Sequence, residues 1–501
     1  MAAVWAAVPI LVVLGLMIGL DWPAARAGAV GALVALAVAA VAFDFGGADD
    51  PFGVSTGIAG VLTEAAFIAA TIAGIIGPAL GIHHLQERTG ATTRLRAALA
   101  QLHPDPRVGA LVIAWFFSLF LEGAAGFGTP VALAAPFLVA AGFAPVAAVS
   151  AALVGHAVGV SFGAVGTPVA AQLAIVDLTG LELSRATAIY HLALGWVLMV
   201  ALLRIIGRAY QGEGPPWRWG ALAAVAFFVP FGAIALFVGP ELPTLGGALI
   251  GVITFAVAAR AGAADDAGAG EVGDDELSVL RAASPYLVLV ALVLATRLVP
   301  GLRDQLERVE IAWSTDGGFE GSVRPLVHPA VMLSLAFVAG AVLQRTSWPT
   351  VRSAFWTATT RLGPVVVALV AMITIARTMS YAGMTAELAE AGASTGWAWP
   401  FVAPAVGALG TFVTGSATAS NVLFTELQEA TAESAGLDTT TLLGAQGFGA
   451  AVGNIVCPHN IVAAVATVGL TGQEGVVLRR TFPVAIVYVA LGGVLAFVLT
   501  R

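Results

Sequence analysis

The sequence predicts an all-α polytopic membrane protein of about 12–14 transmembrane spans, organised as two inverted-topology repeats. Three observations carry this: a charge-poor composition, a series of apolar runs of spanning length, and two interrupted apolar stretches that resemble each other. Of the 501 residues 59% are hydrophobic and only 10% are charged, against roughly 25% charged in soluble domains. So few charges cannot clothe a chain of this length in a water-facing surface, which excludes an ordinary soluble enzyme.

The apolar runs fall at 3–20, 27–43, 60–82, 187–206, 219–238, 243–259, 283–299, 328–344, 362–378, 396–413 and 481–500. Each approaches the roughly 20 residues that a span requires. The first is read as a span and not as a cleaved leader. Between the runs, residues 83–107 carry Arg88, Arg94, Arg96 and Arg107, which places that loop in the cytoplasm. Residues 44–58 carry Asp44, Asp49 and Asp50 and no arginine, so they and the N-terminus are expected outside. Residues 345–361 read as an interfacial amphipathic segment.

The acidic run Asp265, Asp266, Glu271, Asp274, Asp275 and Glu276 reads as a solvated linker. It divides the chain into a first repeat half, 1–260, a linker, 261–282, and a second half, 283–501. Two stretches, 108–178 and 412–472, are apolar but broken by Gly, Pro and hydroxyl residues every ten to fifteen residues. Irregular backbone at membrane depth survives only against protein or a wet cavity. These stretches are therefore expected to face a cavity.

They also align. Phe120-Leu-Glu-Gly123 matches Phe412-Val-Thr-Gly415, and Leu153, Gly159, Gly163 and Pro168 match Leu443, Gly449, Gly453 and Pro458. The first follows the arginine-rich loop and the second follows residues 379–395, which lack arginine. Opposite entry sides imply inverted repeats, a common plan of secondary transporters.

The breaks carry the chemistry. Gly123, Gly126 and Gly128 hold a helix poorly, while Thr129 suits a helix cap and Pro130 a first turn. A half-helix should end near Glu122 and another begin at Thr129, presenting free N–H groups of Gly123, Ala124, Gly126 and Gly128 to an anion. Gly166-Thr167-Pro168 repeats the device. In the second half, Thr414 to Asn421 is an unwound hydroxyl-rich segment, with Ser420 or Asn421 as the cap of a helix starting at Val422. Gly415, Ser416, Thr418, Ser420 and Asn421 read as substrate or ion contacts, or as caps alone. Cys457-Pro458-His459-Asn460 mirrors Thr167-Pro168, and all three asparagines of the chain, Asn421, Asn454 and Asn460, fall in this region.

Glu122 is a carboxylate inside an apolar run, costly to bury charged, which suits the carriage of a coupling proton. His156 and His459 are candidates beside it, or structural hydrogen bonders. Gly155, Gly159 and Gly163 at four-residue spacing read as close helix packing. Gly159-Val-Ser161-Phe-Gly163 matches a hydrolase elbow, but that device needs a preceding strand and here the run is helical. No Walker A loop or H-E-x-x-H run is present, and the single cysteine, Cys457, excludes an internal disulfide. With 22 arginines, no lysine and a net charge of −8, the chain lacks the basic face of a nucleic-acid binder. No enzyme activity, cofactor or metal is expected, and the driving energy must come from an ion gradient.

At these residues the sequence resembles the L-lactate permease family. FLEGAAGFGTPVALAAPFLVAAGF (120–143), SFGAVGTPV (161–169), GPELP (239–243), TGSATASNVLFTELQ (414–428) and ATVGLTGQEG (466–475) match its pattern in order. The resemblance implies re-entrant hairpins, an elevator-type transporter, a homodimer, and proton symport of a small 2-hydroxymonocarboxylate such as L-lactate or glycolate across the plasma membrane. Substrate would sit at Thr129, Thr167, Asn421 and Asn460, with Glu122 and His156 coupling the proton. The sequence departs from the family at Ala417, where Asp is usual, at Asn454, where Lys is usual, and at Gly155-His156, where Asn-Thr is usual. These departures keep open a Na⁺-coupled carboxylate transporter of the same fold.

Overall fold

The computed structural model describes residues 2–20, 22–47, 50–100, 103, 105–126, 128–209, 214–262, 277–299, 301–315, 317–470 and 473–500. The acidic run at 265–276 lies outside the described residues. The last residues of the expected linker are helical instead, because Ser278 caps a helix Val279–Leu298 by accepting the Arg281 N–H at 3.3 Å.

Nearly everything else is helix. Ala2–Gly19 and Ala24–Ala42 pack on each other, followed by Val54–Arg88 and the short Ala91–Ala100. The second half repeats this order, with Val279–Leu298 and Pro329–Leu343, then Trp348–Tyr381, then Met384–Ala393. The two long helices have 35 and 34 residues, and each carries one proline in its interior, Pro78 and Pro364. They pack along one another, so the two halves interlock in space. Residues 345–361, expected as an interfacial segment, form the first turns of Trp348–Tyr381. Pro349 at the start of that helix is tolerated because the first N–H groups need no partner within the helix.

Two further expectations change. The run 187–206 is a bent pair, Gly180–Leu194 and Trp196–Ala209, meeting at 44°. Gly195 sits at the bend, where an added Cβ would overlap Phe228. The all-α class also acquires a small hairpin, Ile311–Ser314 paired antiparallel with Glu320–Val323, Ile311 opposite Val323. It sets Phe319 between Phe52 and Tyr381, at ring separations of 5.0 and 4.8 Å. The hairpin is thereby pinned to the long helices.

Among the described residues, seven helices are long and apolar enough to cross a membrane, or eight if the bent pair counts as one span. The sequence reading expected about 12–14 spans. Several of its apolar runs, such as Pro329–Leu343, are helices of 10–17 residues. At 1.5 Å per residue these reach about 15–26 Å, short of a hydrocarbon core of about 30 Å.

The outward faces of the peripheral helices carry exposed apolar side chains such as Leu33, Val41, Val229, Ile253 and Ile486. The interrupted stretches instead lie inside. Pro106–Ala124 and Pro145–Leu173 are almost wholly buried, as are Ala417–Phe424 and Leu442–Gly453. Their apolar core joins Trp115, Phe117 and Phe162 to Tyr190, Phe448 and Tyr488.

Candidate functional site: four helix breaks around one cavity

Each interrupted stretch contains two breaks, and all four converge. At the first, helix Ser118–Ala124 ends and Thr129–Ala140 begins. Gly126 and Gly128 hold φ of +60° and +76°, values that favour glycine. Gly128, not Thr129, occupies the cap position; Thr129 is the first helical residue, and its side chain lies outside the described residues.

The second break is the most strained. The helix Pro145–His156 tightens into a 3₁₀ turn over Ala157–Phe162. Ala164, Val165 and Gly166 then take φ of +42°, +56° and +77°. Two non-glycine residues in the left-handed region, one of them β-branched, persist only where the surroundings dictate them. Here the Thr167 hydroxyl donates to the Ala164 carbonyl at 2.5 Å. The Pro240 carbonyl occupies the space an added Cβ would need at Gly166, and Thr244 donates to the Gly159 carbonyl at 2.7 Å. The segment 239–243 is therefore the buttress of this break.

At the third break Gly415 has a φ of +76°. Ser416 caps the helix Ala417–Ala435 by accepting from the Ala419 N–H at 3.3 Å. That helix starts five residues earlier than the expected Val422, so Ser420 and Asn421 lie within it and do not cap it. Ser420 donates to the Gly407 carbonyl at 2.8 Å, and the Asn421 amide donates to the Pro168 carbonyl at 3.0 Å. The fourth break, Asn454–Cys457, precedes helix Pro458–Thr467.

Together they line a small cavity of about 30 Å³, well below the range of about 300–1,000 Å³ for open ligand sites. Glu122 and Gly126 come from the first break, Gly163, Ala164 and Thr167 from the second, Gly415, Ser416 and Thr418 from the third, and Asn454 from the fourth. Among the described residues, the cavity is lined without arginine. Backbone N–H groups at helix starts are its positive elements.

Of the residues singled out in the sequence, Glu122, Gly126, Thr167, Gly415, Ser416 and Thr418 are brought together here. His156 stands behind Glu122, its Nε2 at 3.9 Å from Oε2 and without a hydrogen-bond partner, its Nδ1 at 2.8 Å from the Ala152 carbonyl. Gly123 and Ala124 close the preceding helix outside the lining. Gly123 permits contact with the Leu245 backbone, 2.5 Å from where its Cβ would stand. Asn460 bonds the Asn454 side chain through its amide and turns its unpartnered Oδ1 toward Gly128. The side chain of His459 lies outside the described residues.

Six lining residues were not chosen as site residues: Val160, Gly163, Ala164, Pro168, Ala417 and Asn454. Gly163 was read as helix packing. It instead leaves room for the Glu122 carboxyl, whose Oε1 occupies the place of an added Cβ. The serine of the hydrolase-like run, Ser161, meets His191 Nε2 at 2.8 Å and the Gly447 carbonyl at 2.9 Å. The other nitrogen of His191 faces the Tyr488 hydroxyl at 3.2 Å and not a carboxylate, so the group is a buried polar tie and not a triad. Elsewhere, the donor atoms of His83, His84 and Glu87 lie within 4.8 Å of one another, the histidines each reaching the Glu87 carboxylate.

Buried broken helices around a polar cavity, within a shell of apolar helices, define a membrane transporter. The L-lactate permease family model matches residues 2–319 and 321–501, and the chain belongs to that family. It is 28% identical over 472 residues to the L-lactate permease of Salmonella typhi, covering 86% of this chain and 85% of that protein. It is 26% identical over 470 residues to a glycolate permease of Escherichia coli K12, covering 85% and 83%. Among solved structures it resembles the YdaH transporter of Alcanivorax borkumensis, with a TM-score of 0.54, 17% identity, and coverage of 95% of this chain and 98% of that one. The last likeness concerns fold alone. The chain is a multi-pass membrane transporter and not an enzyme.

Proposed function

We propose that this protein is a proton-coupled symporter of a small 2-hydroxymonocarboxylate, L-lactate or glycolate, in the plasma membrane. The observation that carries the reading is Glu122, buried at the edge of a cavity whose walls also carry hydroxyls and helix starts beside apolar residues. The substrate carboxylate is held by N–H groups at the breaks and by Ser416, Thr418 and Thr167. Glu122 carries the proton, with His156 behind it. The names of the lactate and glycolate permease relatives support the substrate class. The repeated order of long helix, short helix and broken stretches supports two repeats, one in 1–260 and one in 283–501. We assign these opposite topologies, an external N-terminus, and an elevator-type movement of the broken region within a homodimer.

Uptake of labelled lactate and glycolate by proteoliposomes, with and without a pH gradient, tests the reading. Gradient-driven accumulation is expected, and Glu122→Gln should uncouple it. Accumulation by Glu122→Gln that still follows the pH gradient removes Glu122 from the coupling role. A second reading, Na⁺ coupling, is favoured by the oxygen donors Ser416, Thr418 and Thr167 in the cavity, a donor set that suits a hard cation. Uptake driven by a Na⁺ gradient at fixed pH would establish it in place of the first.

A further inference from the structure

Away from the substrate cavity, Glu64 and Arg377 pair between two helices, and a third charged residue on another helix lies within reach of their field. Glu64, on Val54–Arg88, accepts from Arg377 Nε at 2.7 Å, from the Tyr381 hydroxyl at 2.8 Å and from the Glu320 N–H at 3.1 Å. Both its oxygens are satisfied, and the arginine is matched by its charge. Arg377 lies near the loop 379–395 in sequence, but it is committed to this pair.

Glu426, on Ala417–Ala435, is the third member. It lies close enough to Arg377 and Glu64 to feel both charges, with Ser380 beside its carboxyl. Its Oε2 is buried and has no hydrogen-bond partner. The residue lines a second, very small cavity of about 10 Å³, roughly the room of one water molecule, walled by Ile10, Met379, Leu388, Leu423 and Leu427. Among the described residues, Thr385 is the only other polar side chain there.

Arg377 is bonded to Glu64, and no ion pair joins it to Glu426 among the described residues. An ionised Glu426 would stand as an uncompensated charge in an apolar cavity, which is costly. A buried oxygen without a partner requires a ligand or a proton. One carboxylate in an otherwise apolar wall offers too few donors for a metal ion, which needs several oxygen ligands. The proton is the cation that fits.

We propose that Glu426 is a second proton site of this transporter, distinct from Glu122, loaded and emptied through this cavity. The charged and titratable groups around it are Arg377 and Tyr381 on one helix and Glu64 on another. Along its own helix lies Glu429, itself near Glu433 and Asp177. Among the described residues, the helices Ala2–Gly19 and Met384–Ala393 contribute Ile10, Thr385 and Leu388 to the cavity wall.

The helix that carries Glu426 begins at the substrate cavity, where Ser416 caps it and Ala417 and Thr418 line the wall. Nine residues separate Ala417 from Glu426, about 14 Å along the axis. Substrate at one end and the proton at the other thus act on a single rigid element. When the proton leaves, Glu426 competes with Glu64 for Arg377 and draws this helix toward Trp348–Tyr381. The coupling role rests on the symport reading above; the binding of a proton does not.

The test uses the purified full chain. An infrared pH titration should show a protonated-carboxyl band that disappears in Glu426→Gln and shifts in Glu426→Asp. In proteoliposomes, the ratio of protons to substrate should fall by one in Glu426→Gln while uptake persists. If Glu426→Gln does not fold, Glu426→Asp decides, since an unshifted band there excludes Glu426 as the carrier. A carboxyl band unchanged by either substitution, or an unchanged ratio in a proton-coupled protein, overturns the proposal. Wild-type uptake that ignores the pH gradient would instead overturn the symport reading, and the infrared titration would still decide whether Glu426 takes up a proton.

Discussion

The Glu122 carboxyl lies over the Cα of Gly163, filling the space that any larger residue would need. The acid belongs to the first helix break and the glycine to the second, so the contact fixes one break against the other. Both residues are buried. Gly163→Ala forces the carboxyl out of place, at a cost of about 1–3 kcal/mol, and should lower uptake about tenfold or more. Adding Glu122→Ala removes the clash. The double variant should recover the wild-type melting temperature but not the uptake, a coupling that a double-mutant cycle measures directly.

Asn421 links the two halves through its bond to the Pro168 carbonyl, and it also lies 3.4 Å from the Gln446 amide. Its side chain is fully buried and outside the cavity lining. Asn421→Ala removes a buried hydrogen bond between the halves, at a cost of about 0.5–1.5 kcal/mol. The melting temperature and maximal uptake should fall while the KM for lactate stays unchanged. A KM that rises alone would make Asn421 a substrate ligand.

Asn454 faces the cavity and is held by the Asn460 amide. Asn454→Asp places a second acid opposite Glu122. If the cavity takes a carboxylate, the KM for lactate should rise about tenfold or more, since roughly 1.4 kcal/mol of repulsion suffices for tenfold and charges a few ångströms apart near a protein surface exceed that. An unchanged KM would place the substrate elsewhere.

Outside the membrane, Asp105 caps the helix Pro106–Val112. It accepts from the Arg107 N–H at 2.9 Å and pairs with the Arg107 guanidinium at 2.7 Å. The Arg107 side chain, helped by its N–H and opposed by partial burial, holds the Asp105 carboxyl below the usual aspartate range. The folded state thus favours the anion. Its contribution is present above the ordinary value of about 3.9 and is lost as pH falls below it. Asp105→Ala should cost about 0.5–2 kcal/mol near neutral pH. The gap in melting temperature between variant and wild type should close below about pH 4.

The sequence reached the membrane class, the long helices and the first break because each rests on local rules. Runs of apolar residues make spanning helices, and Gly-Phe-Gly-Thr-Pro stops one helix and starts another wherever it lies. Glu122 could be singled out for the same reason, as a carboxylate set inside an apolar run at a helix break. The small hairpin at Ile311–Val323 was missed. Its strands have four residues each, too short to show a pattern of their own, and it is held by Phe319 packing against helices distant in sequence.

What only the tertiary structure decided is which side of each break faces the cavity. Ser416, Thr418, Ser420 and Asn421 looked equivalent as neighbouring polar residues. Helix geometry turns the first two toward Glu122 and the last two into packing with the Gly407 and Pro168 carbonyls. Gly163 and Glu426 were silent for a similar reason. A glycine shows its need for space only when the carboxyl above it is seen, and a glutamate shows that one of its oxygens lacks a partner only when the nearby arginine is found bound to another acid. Local sequence fixes backbone conformation through short-range sterics and hydrogen bonds. Which distant groups share a cavity or a counter-charge depends on packing between helices hundreds of residues apart.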